Sequence, residues 1–238
     1  MFHEASQNRM FQDVVNQIQD AILDGRLKAG DVLPAERELK QMFHTSRGTL
    51  REALRVLEER GLIEIRLGVR GGSRVRAIGS DQTSETLALM VRSRKVSLKH
   101  LAEFREGMEG NVASLATQRA AAADLDRLAA IVDEAGRYMQ AADRDGFIET
   151  DKRFHLALAE ITGNPVYIFV FRSIHDNIHR YYDRFLSMDG RELIQNYQDL
   201  RDILRAVVHR RPDEARIMAQ SHVHRFHRHM EAREAEAH

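Results

Sequence analysis

The sequence predicts a mostly α protein with two parts of different character. Residues 9–78 combine short helical stretches with a glycine-rich hairpin, in the order helix, helix, turn, helix, hairpin. From residue 85 onward nearly every segment has the 3.6-residue periodicity of an amphipathic helix, and the connections are short. We therefore expect a small mixed domain over residues 1–78, a linker over 79–84, and an all-α domain of six or seven helices over 85–238.

Composition places the chain among globular proteins. Apolar residues make up 43% and charged residues 30% of the 238 residues, which is enough for a core and a solvated surface. No apolar run approaches the roughly 18 residues of a membrane span, and the N-terminus lacks the pattern of a signal peptide. With no cysteine, the chain has neither disulfides nor thiolate chemistry. These features favour a cytoplasmic protein without a membrane partner.

Each element of the first part has a local signal. Apolar residues within 9–24 follow a helical stripe that ends at Gly25, where a C-cap glycine is expected. Pro34 suits the first turn of a second helix, because that turn does not need the missing N–H. Ser46 is a candidate N-cap for a third helix over 47–60. The strings "LIEIR", "LGVRGG" and "SRVRAI" then predict a strand, a glycine-rich turn and a second strand.

The net charge of zero hides a local basic excess. Between Arg37 and Arg76 there are ten Lys or Arg residues against five Asp or Glu, so the rest of the chain is net negative. A basic segment on an otherwise acidic chain predicts a localised site for a polyanion.

Two helices joined by a tight turn form the helix-turn-helix, whose second helix enters the major groove of DNA. With the leucines of the third helix turned inward, Arg47, Gly48 and Arg51 lie on or beside its outward face. A helix N-terminus favours phosphate oxygens, and a guanidinium can match guanine with two hydrogen bonds. The alternative is an ordinary solvated face, on which Arg51 pairs with Glu52 or Glu58.

The string "LPAERELKQMF…SRGTLREALRVLEERGLIEI", followed by "GVRGGSRV", closely resembles the winged helix-turn-helix of the GntR family of bacterial transcription regulators, over about Phe11 to Val75. The resemblance implies contacts to operator DNA from the helix-turn-helix and from the wing. One departure is His44, which stands at a turn position where the family usually has Gly, so we expect a slightly strained turn there. The candidate DNA-binding residues are Arg37, Ser46, Arg47, Gly48, Thr49, Arg51, Gly68 and Arg70.

Polar residues on the inward faces of the second part are the other candidates, because an unpaired buried polar group costs about 1–3 kcal/mol. Arg105, the pair Asp151 and His155, and His222 each share a helix face with apolar residues. Asp and His at i, i+4 point the same way and, with a distant His, supply most of a metal site. The alternatives are a carboxylate–histidine pair that closes the core and an internal salt bridge from Arg105 to Glu109 or Asp151.

The string "DKRFHLALAEITGNPVY" looks like the central helix of the FadR-like branch of the same family, whose all-α FCD domain binds small effectors, many of them organic acids. In its metal-binding members the ligands are an Asp, a His four residues later and two further His. Asp151, His155 and His222 match three of these ligands, and the fourth position falls on Leu200, which cannot ligate. The resemblance also implies that Arg105 pairs with an effector carboxylate. The candidate cofactor is one divalent metal, such as Zn, Ni or Mn.

Three arrangements remain open for this candidate effector and metal site. Water or effector completes a three-ligand site, or the effector binds without metal, or another residue supplies the fourth ligand. The candidates for a fourth ligand are His175, His179 and Asn177, and further cavity residues are Arg180, Tyr181 and Tyr182. In the histidine-rich last helix, alternate spacing predicts that only His222 faces inward, whereas His224, His227 and His229 are solvated.

These observations predict a homodimeric, cytoplasmic transcription factor whose affinity for operator DNA is controlled by a small carboxylate effector. A metal-dependent enzyme with a DNA-binding appendage is the rival class, with Asp151, His155 and His222 around a catalytic ion. We find no second carboxylate placed as a general base and no Cys nucleophile, so we expect no enzymatic activity. A binder of any duplex is the third possibility, and competition with scrambled DNA distinguishes it.

Overall fold

The structure is a computed structural model that describes residues 8–66, 68, 71–77, 79, 81–182 and 188–236. The chain divides into two compact units, Met1–Gly79 and Ser80–His238. No helix within the described ranges is both long enough and apolar enough to span a bilayer.

The first unit has the order of elements that the sequence predicts. Its core is formed by apolar side chains of its first and third helices and of the strands, among them Val15, Leu54 and Ile63, all buried. The two strands are antiparallel, with Ile63 opposite Val75 and Arg66 opposite Gly72. The elements are α1 (Asn8–Leu23), α2 (Glu36–Met42), α3 (Arg47–Glu59), β1 (Ile63–Arg66) and β2 (Gly72–Val75).

The turn between α2 and α3 has the backbone that the sequence predicts. His44 has a φ of 47°, in the left-handed region that a residue with a Cβ adopts at a cost. Ser46 then caps α3, because its side chain accepts a hydrogen bond from the Thr49 N–H. The expected strained turn and the expected N-cap are both confirmed.

The second unit is all-α, and seven helices lie within its described residues. The helices Leu98–Arg119 (α5) and Pro212–Glu236 (α10) pack most extensively against each other, and the four helices between them complete the core around residues such as Phe147, Phe154 and Phe171. Helix α4 begins at Asp81, so the predicted linker over 79–84 is too long; the polar string there is also compatible with a helix start. The helices are α4 (Asp81–Arg92), α5 (Leu98–Arg119), α6 (Ala122–Gln140), α7 (Arg144–Ile161), α8 (Pro165–Tyr182), α9 (Gly190–Val208) and α10 (Pro212–Glu236).

Candidate functional site

The N-terminal turn of α3 presents a polar, uncovered surface in the first unit. Ser46 Oγ accepts from the Thr49 N–H at 3.1 Å and lies 2.8 Å from Thr49 Oγ1, so the two hydroxyl side chains hold each other in place. Arg47, Gly48 and Arg51 are exposed beside them, while Leu50 on the opposite face is buried. The helix therefore buries its apolar stripe and leaves its N-terminus open to a ligand.

Three of the predicted DNA-contacting arginines are available for an external anion. Arg37, Arg47 and Arg51 are exposed, and none has an ion pair with another residue in the described part of the chain. Glu58, considered as a partner of Arg51, instead accepts the backbone N–H of Ile65. The structure thus leaves these guanidinium groups free, and their contacts with DNA stay predictions.

In the wing, the hairpin formed by β1 and β2, some of the arginines are paired within the first unit and are not free to contact DNA. Gly68 is exposed with a φ of 109°, and its carbonyl accepts from the Gly71 N–H, as a tight turn requires. Arg66 pairs with Glu64 at 2.6 Å, and Arg74 donates to the carbonyl of Gly30. These two arginines are therefore engaged within the unit. The predicted contact residue Arg70 lies outside the described residues.

In the second unit, side chains from five helices form a buried polar cluster. Helix α5 supplies Arg105 and Glu109, α7 supplies Asp151 and His155, α8 supplies His175, α9 supplies Asp199, and α10 supplies His222. All are buried except Asp151, whose side chain is 22% exposed. The cluster brings together the four residues that the sequence selected, Arg105, Asp151, His155 and His222.

Asp151 lies between two imidazoles. Its Oδ1 is 3.7 Å from His155 Nε2 and 3.5 Å from His222 Nε2, and the two rings are stacked with centroids 5.2 Å apart. Among the described residues, neither Asp151 Oδ1 nor His155 Nε2 has a hydrogen-bond partner. One oxygen and two nitrogens within 4.8 Å of one another suit a divalent metal ion.

Arg105 forms the internal salt bridge that was considered as an alternative to effector binding. Its Nε lies 2.7 Å from Glu109 Oε1, one helical turn along α5, and both side chains are almost fully buried. The guanidinium also stands over the Phe226 ring at 5.6 Å. Arg105 nevertheless lines the same cavity as Asp151, so its place beside the cluster agrees with the prediction, whereas its role toward an effector is untested.

A second possible ligand set overlaps the first. Glu109 Oε2 is 2.7 Å from His155 Nδ1, without the alignment of a hydrogen bond, and Glu109 Oε1 is 3.4 Å from His175 Nε2. His175, one of the residues offered as a fourth ligand, stacks on His155, and its Nε2 lacks a partner within the described chain. Glu109, His155 and His175 thus also meet the distance requirement for a metal site.

The position expected to hold a fourth ligand belongs to the core. Leu200 is fully buried in the apolar core of the second unit. The preceding residue, Asp199, faces the site instead: its Oδ2 lies 3.3 Å from His222 Nδ1. Arg225 donates to both oxygens of Asp199, at 2.9 and 2.5 Å. Helix α9 therefore contributes a carboxylate behind His222 where the resemblance suggested a ligand.

The carboxylates of the cluster are held ionised. Burial by itself would raise the pKa of Glu109, but the charges of Arg105 and His155 outweigh burial and keep that pKa well below its usual value. Burial also opposes ionisation of Asp151, yet His155 and His222 hold its pKa far below the usual range. Ionised carboxylates are the form that binds a metal ion.

The imidazoles respond differently to the same burial. Burial would lower the pKa of His155, but Glu109 and Asp151 overcome it and raise the pKa to about 10. The pKa of His222 is raised as well, against burial, by its neighbouring carboxylates. For His175, burial prevails and lowers the pKa to about 4. The surroundings of Asp151 therefore favour positive charge on both flanking rings, whereas burial favours the neutral ring of His175.

The remaining candidates divide into three groups. Asn177 is buried, and its amide nitrogen donates to the carbonyls of Ser84 and Ser173, which joins α8 to α4, whereas its Oδ1 has no hydrogen-bond partner among the described residues. His224 is exposed as predicted, but His227 is only 8% exposed and contacts Glu231 at 3.0 Å, so its prediction as a solvated residue is wrong. The broad contact of α10 with α5 and α9 covers more than one stripe. The side chains of His179, Arg180, Tyr181 and Tyr182 lie outside the described residues.

A small cavity of about 20 Å³ adjoins the cluster and is lined by Arg105, Asp151, Lys152, His175, His222 and four apolar residues. Such a volume holds a water molecule or an ion.

Sequence reasoning named Glu109 only as a salt-bridge partner and missed Asp199. The signal for Glu109 was its i+4 spacing from Arg105, whereas nothing local distinguishes Asp199 from a solvated acid.

Two family models match the chain. The model described as "FCD domain" matches residues 100–225, and the model described as "Bacterial regulatory proteins, gntR family" matches residues 11–75. The first match contains the buried cluster, and the second contains the capped N-terminus of α3.

Named relatives agree with the family models. The chain is 30% identical to the Glc operon transcriptional activator of Escherichia coli, over 94% of this chain and 90% of the relative. It is 29% identical to the transcriptional repressor NanR of Cronobacter sakazakii, over 92% and 84%. It is 35% identical to the regulator LutR of Bacillus subtilis, over 61% and 64%. A solved structure, Streptococcus agalactiae GntR, has a TM-score of 0.74 at 24% identity over 92% of this chain and 99% of that chain, which shows a common fold.

Proposed function

We propose, on the premise that the chain belongs to the GntR family of bacterial regulatory proteins and carries an FCD domain, that its effector is a small carboxylate bound beside Arg105 at a metal ion. The protein is a DNA-binding transcriptional regulator, and its relatives are regulators, not enzymes. The enzyme alternative has no support among them.

The observation that carries the proposal is the set of buried polar atoms without partners. Asp151 Oδ1, His155 Nε2 and His175 Nε2 are buried and lack hydrogen bonds in the described part of the chain. An unsatisfied buried polar atom costs about 1–3 kcal/mol, so three of them in one buried cluster support a missing ligand. Oxygen and imidazole nitrogen together suit a divalent metal such as Zn, Ni or Mn.

The donor set fits a metal ion that binds an effector. Asp151, His155 and His222 would hold the ion, and since Leu200 offers no donor, coordination positions remain for water or for effector oxygens. When bound, the ion attracts carboxylate oxygens as a Lewis acid. Arg105 lines the same cavity and, while its Nε stays paired with Glu109, places a second positive charge beside the acid. Because the cavity of about 20 Å³ holds only an ion or a water molecule, the lining side chains would move to admit the acid.

The first unit would read the operator as one half of a symmetric pair. We assign base or phosphate contacts to Arg37, Ser46, Arg47, Gly48, Thr49 and Arg51, and wing contacts to Gly68 and Arg70. A homodimer presents two such units to a palindromic site. We propose that residues 1–78 bind DNA and that the helices from α4 onward bind the effector and dimerise, and the proposed place of action is the cytoplasm, where the DNA is.

Thermal unfolding tests the effector side. A ligand at 100 times its Kd adds about 2.7 kcal/mol, which raises Tm by roughly 5–10 °C in a chain of this size. We expect Zn²⁺, Ni²⁺ or Mn²⁺ with small carboxylic acids to raise Tm of the wild type. The variant His155→Ala should lose this shift, and His224→Ala, on the exposed face of α10, should keep it. Equal shifts in the wild type and His155→Ala, or none with any combination, would overturn the proposal.

A further inference from the structure

Two rows of contacting side chains, each made of an arginine, a carboxylate and a histidine, end at Asp151. In one, Arg105 contacts Glu109 at 2.7 Å, and Glu109 lies 2.7 Å from His155 Nδ1. In the other, Arg225 contacts Asp199 at 2.5 and 2.9 Å, and Asp199 lies 3.3 Å from His222 Nδ1. In each row the arginine contacts the carboxylate, and the carboxylate contacts the imidazole. Each imidazole turns its other nitrogen, Nε2, toward Asp151 Oδ1.

Such an arrangement has a known physical use around metal ions. An imidazole that ligates through one nitrogen usually donates its other N–H to a carboxylate or carbonyl, which fixes the tautomer and the ring orientation and raises the basicity of the ligating nitrogen. The carboxylate must itself be held in place, and a charge-assisted hydrogen bond from an arginine does so; Arg105 makes one to Glu109, and Arg225 makes two to Asp199.

We propose that Glu109 and Asp199 are positioning carboxylates. Glu109 holds His155 through a close ionic contact and Asp199 holds His222 through a hydrogen bond, so that both Nε2 atoms are directed at a divalent cation shared with Asp151. The proposal rests on the function proposed above and adds residues that do not touch the ion. Arg105 and Arg225 brace the two carboxylates from behind.

The charges around Glu109 argue against the overlapping ligand set of Glu109, His155 and His175. The Arg105 guanidinium lies 2.7 Å from Glu109 Oε1, so a cation bound at this carboxylate would stand next to a fixed positive charge. Within the described residues, no arginine or lysine contacts Asp151, and its Oδ1 has no hydrogen bond. The cation is therefore better placed at Asp151, with Glu109 behind His155.

The hydrogen bonds of Asp199 lead to the same assignment on the other side. Its Oδ1 accepts from Arg225 and from Gln195 at 3.0 Å, and its Oδ2 accepts from Arg225 and faces His222 Nδ1. Both oxygens are thus engaged, and the carboxylate is only 4% exposed. Asp199 is equipped to orient an imidazole and not to bind an ion.

Metal affinity measured by competition with a chromogenic chelator tests the inference. With Zn²⁺ as the probe, Glu109→Gln and Asp199→Asn should each raise the Kd by about 10–100-fold. Asp151→Asn removes a ligand and should abolish binding. Asp202→Asn, on the same helix as Asp199 but paired with Arg205 and Gln198, is the matched control and should leave the Kd unchanged.

A second readout separates positioning from direct ligation and from a purely structural role. The visible absorption of bound Co²⁺ should keep its intensity in saturated Glu109→Gln and Asp199→Asn, because the protein ligands are unchanged, whereas Asp151→Asn should not give the band. If a substitution at Asp199 prevents folding, Arg225→Gln removes only the bracing group, which is 41% exposed, and should weaken Zn²⁺ binding in the same direction.

The outcomes distinguish this inference from the proposal on which it rests. A wild type that binds Zn²⁺ tightly, with Glu109→Gln and Asp199→Asn binding equally well, would overturn the inference alone. Loss of binding in His175→Ala with normal binding in Asp151→Asn would overturn it too, because the cation would then occupy the other ligand set. A wild type that binds neither Zn²⁺ nor Co²⁺ would overturn the metal site itself.

Discussion

Replacement of Arg51 by Ala tests the assignment of α3 as the helix that reads DNA. Arg51 is exposed on α3 and has no ion pair with another described residue. Its removal therefore breaks no ion pair within the described residues, and because the side chain is exposed the free energy of unfolding should change by less than about 0.5 kcal/mol. Any loss of DNA binding is then a loss of contact with DNA.

The expected magnitude follows from the chemistry of base recognition. A guanidinium that makes two hydrogen bonds to guanine contributes about 1–3 kcal/mol of discrimination, which corresponds to a roughly 5–150-fold rise in Kd for the operator. Affinity for unrelated duplex comes from phosphate contacts and should fall much less. The ratio of the two affinities should consequently decline.

The assay is fluorescence anisotropy at fixed salt, with a duplex selected in vitro by the wild-type protein and a scrambled duplex of equal length. Arg60→Ala is the matched control, because it removes the same charge from the other end of α3, where Arg60 donates to Gln19. We expect Arg60→Ala to keep the wild-type ratio. An Arg51→Ala protein that also keeps the wild-type ratio would refute the reasoning.

Three further substitutions test local features of the fold by chemical denaturation. Ser46→Ala removes the N-cap of α3 and should cost about 0.5–2 kcal/mol, whereas a change below 0.3 kcal/mol would contradict the capping role. Gly146→Ala places a Cβ 2.4 Å from the Tyr138 ring, so we expect a loss of about 1–3 kcal/mol, and Tyr138→Leu should relieve part of it. Arg210→Ala removes hydrogen bonds to the carbonyls of Thr117 and Ala120 and should cost about 1–3 kcal/mol; an unchanged midpoint would show that water replaces them.

Local signals predicted the first unit well. The cap at Ser46 and the tight turn at Gly68 are determined by a few neighbouring residues, and the left-handed turn at His44 was expected from the resemblance to the family; all three are found in the structure. The limits of the helices are predicted to within a few residues for the same reason. The linker was predicted too long, because a polar string such as "GSDQTS" fits both a linker and the start of a helix.

The direction in which a side chain points could be predicted only where the geometry of a single helix determines it. Asp151 and His155 are one turn apart on α7, so their common direction follows from helix geometry alone. His227 shows the limit of this reasoning: the stripe of α10 placed it outward, but α10 packs broadly against other helices and buries it. The exposure of a residue depends on which helices surround it.

The sequence by itself determined the order of elements, the basic N-terminus of α3 and the two parts of the protein, because these depend on residue types at short spacing. Only the tertiary structure decided what surrounds His155 and His222. It buries Leu200 in the core, sets Asp199 behind His222 and brings Glu109 to His155 from another helix. Residues 46 and 23 positions apart in the chain meet there because helix packing, and not local spacing, brings them together.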